Sequence, residues 1–327
     1  MSIVIVIIII IVIIFYKNNL QNNLQNNLQK NNSCNLKQLF NHNNNHNNNH
    51  NSNCNINDVL IHTSNFCSND LCTKLSIMIN NASKKYENIW RFNSTTMSDV
   101  FVLGTPLSDV LNELVIPEYY FNQLARMPEV AEIYKLIDKE IISKFVDNII
   151  VNTNMNTKIL TGCDPYLIKK YPQYAKYSNK FMKYMIRIYR NANNLIHIDT
   201  NDSEIYDVDN NIKIYSMCVY LQMPTTGGEL NIWPCTSLIT AKSYNYIDLG
   251  NYNRPTVIKP IAGDLIIFDP SHPHSVSSSN SNNNSNNSSS NSNNNSSNNN
   301  SNNSGVRISI QTFILHDLQN NTLVMRA

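Results

Sequence analysis

Residues 263–276 read GDLIIFDPSHPHSV. Four apolar residues, Leu265 to Phe268, lie between Ala262-Gly263-Asp264 on one side and Pro270 on the other. A short apolar run bounded by turn residues on both sides predicts a buried strand that cannot continue past the proline. Read outward in both directions, the same punctuation recurs. KYMIRIYR (183–190), IKIYSMCVYLQM (212–223), ELNIWP (229–234), TVIKPI (256–261) and VRISIQTFIL (306–315) carry the period of two expected of strands. The chain has seven glycines, and those at 227, 228, 263 and 305 all fall at the joints between these runs, where a turn needs backbone freedom. Many short strands with tight turns predict a sandwich or jelly roll.

Before about Ser178 the signals are mainly helical. Pro128 opens the clearest case, EVAEIYKLIDKEIISKFVDNII, in which Ile133, Ile137, Ile141, Phe145 and Ile149 recur every four residues as one apolar stripe. Glu129 and Glu132 in its first turns suit the helix dipole. Such a helix is expected to pack on the sheet and carry no chemistry. The fold class is therefore α+β: a double-stranded β-helix, or jelly roll, with supporting helices.

The rest of the 327 residues do not read as a core. Asn18–Asn32, Asn41–Asn53 and the 28 Ser and Asn residues of 277–304 are polar tracts with too little apolar surface to offset chain entropy. The last tract interrupts the chain between two strands, and loop lengthening costs only about 0.6 kcal/mol per doubling, so it is read as a tolerated loop insertion. The expected organisation is 1–16 hydrophobic anchor or signal segment, 17–56 Asn-rich linker, 57–180 mainly helical part, 181–317 jelly roll with its insertion at 277–304, and 318–327 tail. A formal net charge of +2 without a strongly basic segment argues against nucleic acid as a partner.

Residues 3–16 are uninterruptedly apolar or aromatic. No basic residue precedes them, and Phe15-Tyr16-Lys17-Asn18 lacks the small residues of a cleavage site, so an uncleaved single-pass membrane anchor is the expectation. Its side stays open. Lys17 and Lys30 favour a cytosolic C-terminal side, whereas sequons at Asn81 and Asn93 fit a secretory lumen. Seven cysteines without metal-type spacing leave the redox compartment open too, although Cys67 and Cys72 can pair in an oxidising one.

Chemistry concentrates in LIHIDTND (195–202). His197 and Asp199 stand two apart on one strand face among Leu195, Ile196 and Ile198. A carboxylate there costs several kcal/mol unless a cation meets it. With a histidine from SHPHSV, His272 or His274, two imidazoles and one carboxylate on a β scaffold suit Fe(II) and leave coordination positions open.

These pieces together resemble the Fe(II)/2-oxoglutarate-dependent dioxygenases. The elements are His197-Ile198-Asp199, Gly227-Gly228-Glu229-Leu230, GDLIIF with a histidine six residues after Phe268, and Arg307-Ile308-Ser309, spread over about residues 180–317. By that resemblance His197, Asp199 and His274 are the metal ligands, with no catalytic residue beyond the metal centre. Arg307 pairs the far carboxylate of the cosubstrate 2-oxoglutarate, Ser309 adds a hydroxyl, and Tyr189 contacts the cosubstrate. The implied reaction consumes O2 and 2-oxoglutarate, with ascorbate as a possible addition, releases succinate and CO2, and hydroxylates an unidentified protein side chain or small molecule. The GGEL and GDLIIF elements lean toward the prolyl-hydroxylase-like branch, but that branch usually uses Lys where Arg307 stands. Two rival readings are a catalytically inactive jelly-roll binding protein and a cupin-like metalloprotein that does not use 2-oxoglutarate. His62 and His316 are read as surface residues, and Arg187 as either a core ion pair or a pocket residue.

Overall fold

A computed structural model of the chain describes residues 59–86, 100–105, 107–111, 116–153, 158–190, 194–199, 212–234, 254–278 and 305–327. The strands are β1 (Leu60–Thr63), β2 (Val100–Leu103), β3 (Lys158–Thr161), β4 (Met185–Arg190), β5 (Asn194–His197), β6 (Ile212–Gln222), β7 (Leu230–Ile232), β8 (Thr256–Ile258), β9 (Leu265–Phe268), β10 (His274–Val276), β11 (Val306–Asp317) and β12 (Thr322–Arg326). The helices are α1 (Asn69–Lys85), α2 (Leu107–Leu111), α3 (Pro117–Arg126), α4 (Pro128–Ile137), α5 (Ser143–Thr153) and α6 (Pro165–Lys170).

The pairing is nested. β4 runs antiparallel to β11, β5 to β10, β6 to β9 and β7 to β8. Eight consecutive strands thus form one long doubled hairpin, rolled so that its members alternate between two sheets, which is the topology of a jelly roll. β4, β6, β9 and β11 lie in the large sheet, and β5, β10, β7 and β8 form the small one in that order. Flanking strands widen the large sheet: β1 beside β9, β2 beside β4, β12 beside the C-terminal half of β11, and β3 parallel to β12. The last residues, 322–326, are therefore sheet.

Alternation along each strand sorts the residues between two cores. Ile186 and Ile188, Ile308 and Ile310, Met217 and Val219, and Leu265 and Ile267 share one apolar cluster with Leu75 and Ile79 of α1 and Ile133 and Ile137 of α4. Cys218, Tyr220, Ile266 and Phe268 share the other with Leu230, Ile232, Ile258 and Val276, between the two sheets. The residues that alternate with the first set on β4 and β11 are Arg187, Tyr189, Arg307 and Ser309. A slip of one residue would exchange apolar and polar faces, so burial of the isoleucines under the helices fixes the direction of the arginines.

The stripe beginning at Ile133 is buried as expected through Phe145, with Ile133, Ile137, Ile141 and Phe145 each at 0–1 % exposure. A strict period of four drifts around a 3.6-residue helix. Here the drift is taken up by a π turn at Asp138–Ile142, where the Ser143 N–H donates to the Asp138 carbonyl, five residues back. The helix packs on the sheet side of the first core, and a groove of about 690 Å³ lined in part by Lys135, Asp138 and Lys183 opens beside it. None of His197, Asp199 and His274 lines that groove, and Lys183 pairs with Asp138 in it at 2.8 Å.

The membrane anchor expected over residues 3–16, with the membrane localisation and membrane partner that followed from it, is corrected. Among the described residues no helix is long and apolar enough to cross a membrane. The segment itself lies outside the described residues, and its fourteen residues would reach only about 21 Å as a helix against a hydrocarbon core of about 30 Å. The Asn-rich tracts, sequon Asn93 and residues 279–304 also lie outside the described residues.

Candidate active site

The site begins with β5. Its antiparallel partner β10 brings His274 directly opposite His197, although the two are 77 positions apart in sequence. The ring centroids are 4.2 Å apart. Asp199, just beyond β5, is held by its backbone N–H donating to the Pro270 carbonyl at 2.9 Å. The same loop is fixed from the other side by the Trp233 N–H donating to the Pro273 carbonyl at 2.9 Å. Two backbone bonds thus set the spacing that a metal site demands, and they use the proline-rich stretch that ends β9 as their anchor.

One nitrogen or oxygen from each of His197, Asp199 and His274 lies within 4.8 Å of the others. His197 Nε2 is 3.6 Å from one Asp199 oxygen, and His274 Nε2 is 3.5 Å from the other. The opposite ring nitrogens are engaged by main chain. His197 Nδ1–H donates to the Leu195 carbonyl at 2.6 Å, and His274 Nδ1–H donates to the His272 carbonyl at 3.0 Å. A carbonyl can only accept, so each bond places the proton on Nδ1 and leaves the Nε2 lone pair facing Asp199. Of the two candidate histidines in SHPHSV, His274 supplies the ring to this cluster and His272 supplies the carbonyl that orients it.

The electrostatics agree with that tautomer. Burial, followed by the neighbouring His274, holds His197 below its ordinary pKa, so the ring is neutral at pH 7. Burial by itself would push the Asp199 carboxyl up, but the two histidines and Arg187 outweigh it and hold the group at about 2. Two imidazole nitrogens and one ionised carboxylate oxygen converge on one point. This donor set suits a divalent first-row metal.

The polar residues on the inner face of β4 and β11 form a second group. Arg307 is 3 % exposed, and its guanidinium lies 3.7 Å from the centre of the Tyr189 ring, the residue opposite it in the ladder. Its Nε is buried without a hydrogen-bond partner, and among the described residues no carboxylate lies within ion-pair distance of it. A buried guanidinium left in that state is costly unless an anion completes it. Ser309, fully buried, accepts from Gln311 Nε2 at 3.1 Å. Tyr189 accepts from Arg187 Nη1 at 3.3 Å, and although burial raises its phenol pKa, the two arginines pull it below the ordinary value.

Residues 184–289 match the family model of the 2OG-Fe(II) oxygenase superfamily. The matched region spans β4 through β10, includes the whole His197–Asp199–His274 cluster and is similar to that superfamily. The likeness implies oxidoreductase chemistry with Fe(II), 2-oxoglutarate and O2, and the donor set and the uncompensated Arg307 fit a metal and a dicarboxylate. None of the curated proteins matches the chain. Solved structures similar to it include a prolyl-4-hydroxylase of Pseudomonas putida, 14% identical over 77% of this chain and 89% of that one, TM-score 0.33. A collagen prolyl hydroxylase of Paramecium Bursaria Chlorella virus-1 is 14% identical over 81% and 98%, TM-score 0.35. The carbocyclase SnoK of nogalamycin biosynthesis is 11% identical over 78% of each chain, TM-score 0.40.

Several parts of the site were not legible beforehand. The carbonyls of Leu195 and His272 decide both histidine tautomers, and main chain leaves no residue-type signal. Arg187 had an ambiguous signal, a charge on the same strand face as Tyr189. His316, expected at the surface, is 1 % exposed. It sits on β11 between Leu323 of β12 on one side and Lys213 of β6 on the other.

Proposed function

We propose that this protein is an Fe(II)- and 2-oxoglutarate-dependent dioxygenase that hydroxylates its substrate with release of succinate and CO2. His197, Asp199 and His274 hold the metal, and Arg307, Ser309 and Tyr189 hold the cosubstrate. The observation that carries the cosubstrate assignment is Arg307, a buried guanidinium with no anion beside it among the described residues, on the face of the large sheet that looks toward the small sheet and its metal cluster. A cupin-like centre acting without 2-oxoglutarate gives that charge no purpose.

Each residue has a task that follows from its surroundings. The Leu195 and His272 carbonyls hold the two imidazoles by Nδ1 and so aim both Nε2 atoms at the metal position. Asp199 contributes one negative charge against the two of the metal, and its low pKa keeps it ready across the neutral range. Arg307 offers a planar fork that matches a carboxylate with two parallel bonds. Tyr189 stacks beneath that fork and limits its rotation. Phe268, with its ring 4.9 Å from that of His274, and the apolar side chains between the sheets keep water from the reacting centre. When bound, Fe(II) and 2-oxoglutarate together supply the oxidising power for O2-dependent hydroxylation; the protein supplies placement, charge and dryness.

The test is release of labelled CO2 from carboxyl-labelled 2-oxoglutarate by the full chain with Fe(II) and ascorbate. Uncoupled turnover that disappears in Asp199→Ala supports the reading. Metal binding with neither 2-oxoglutarate binding nor decarboxylation refutes it.

A further inference from the structure

The inner face of the large sheet carries a second guanidinium that the proposed chemistry leaves unused. Arg187 stands opposite Ser309 in the β4–β11 ladder and opposite Val102 in β2, two residues before Tyr189. Its Nε–H points to Met185 Sδ at 3.1 Å and its Nη1 donates to Tyr189 at 3.3 Å. Neither partner is an anion. Two carboxylates feel its charge, Asp199 and the buried Asp109 of α2. Among the described residues, neither comes within ion-pair distance of it. A metal held by Asp199 would draw that carboxylate's charge to itself and leave Arg187 more exposed as a cation.

The two arginines differ in access. Arg307 is 3 % exposed, while Arg187 is only half-buried. The register explains the difference. β4 and β5 are joined near Arg190 and Asn194, and β5 runs from there to the metal-type residues His197 and Asp199 at its far end. Tyr189 and Arg307 lie level with the joined end, whereas Arg187 lies two residues further toward the end where His197 and Asp199 sit. Arg187 therefore lies nearer the His197–Asp199 end of the pocket than Arg307 does, and its charge acts on both of those residues.

We propose that Arg187 is a substrate-binding residue and that the substrate carries an anionic group, a carboxylate, close to the carbon that is oxidised. This rests on the reading of Arg307 as the cosubstrate anchor. The recognition is a charge-assisted hydrogen bond in a partly dry site, where a neutral isostere leaves the guanidinium unpaired and is rejected for that reason.

The test uses the full chain loaded with Mn(II) and saturating 2-oxoglutarate under argon, which permits binding without turnover. The probes are N-acetyl-glutamate methylamide and its isostere N-acetyl-glutamine methylamide, titrated calorimetrically. The acidic probe is expected to bind about tenfold or more tightly than the amide, and Arg187→Gln to remove that preference. In the same variant 2-oxoglutarate affinity is expected to fall much less than in Arg307→Gln, for which a loss of about thirtyfold or more corresponds to removing one partner of a buried charge pair. The wild-type comparison of the two probes stands even if Arg187→Gln folds poorly. Equal affinities for the two probes, or no binding of either, overturn the proposal. So does an Arg187→Gln variant that loses 2-oxoglutarate as severely as Arg307→Gln, since Arg187 would then be a second cosubstrate anchor. A wild-type chain that fails to bind 2-oxoglutarate with Mn(II) sinks the proposed function itself, a separate result.

Discussion

Replacing Arg307 by methionine should move two quantities in opposite directions. Arg307 is 3 % exposed, stacks on Tyr189 at 3.7 Å, and has a buried Nε with no hydrogen-bond partner. Without cosubstrate, the folded protein carries the desolvation cost of that charge with only a stacked ring in return. A hydrophobic residue of similar length removes the cost while keeping most of the packing, so the apoprotein should be as stable as wild type or more stable by up to about 2 kcal/mol. With 2-oxoglutarate the sign reverses. The far carboxylate enters the same dry surface and finds no counter-charge, a loss typically about 3–5 kcal/mol, or roughly two to four powers of ten in affinity. The assay pairs denaturant unfolding of the apoprotein with calorimetric titration of 2-oxoglutarate into the Mn(II)-loaded protein. A variant that binds 2-oxoglutarate like wild type, or that unfolds more easily by several kcal/mol while affinity is spared, would show Arg307 to be a structural cation and would remove the basis for the cosubstrate site.

Three further predictions test other links in the chain of inference. Asp199→Asn keeps the shape of the side chain but removes the one negative charge of the cluster, so Mn(II) affinity should fall about a hundredfold or more, as read by metal titration; an unchanged affinity places the metal elsewhere. Gly263 has φ +96° and an added Cβ would lie 2.6 Å from the Cys67 carbonyl oxygen, so Gly263→Ala should destabilise by about 1–3 kcal/mol in denaturant unfolding, and a neutral result would mean that the close approach of the β1–α1 turn is not present in solution. Burial lowers His316 from 6.5 to about 4. Between those values the unfolded chain binds a proton that the folded chain does not, so stability should drop as pH falls from about 6.5 to about 4, by no more than about 3 kcal/mol, with no contribution above that window. His316→Leu should remove that component, and identical pH profiles for the two proteins contradict the burial of the ring.

The sequence by itself determined β4 to β9 and β11 and the residue types of the site, whereas β10 was not read as a strand and β12 was read as a tail. Strand alternation is a local property, so Ile186-Arg187-Ile188-Tyr189 and Ile308 between Arg307 and Ser309 already state which side chains share a face. His197 and Asp199 are likewise bound to one face by their spacing. The N-terminal strands were harder to see, because β1, β2 and β3 have four residues each and become strands by joining the edges of a sheet built from the second half of the chain. Tertiary structure decided the register of β10 against β5 that sets His274, the histidine the resemblance had already named, opposite His197. It also decided that both Nδ1 protons are spoken for by carbonyls, that His316 is buried between its neighbouring strands, and that Arg187 and Arg307 lie at different depths on one surface. The physical reason is common to all four. Local sequence sets which way a side chain points, but what it meets there, and how much water reaches it, depends on strands that arrive from elsewhere in the chain.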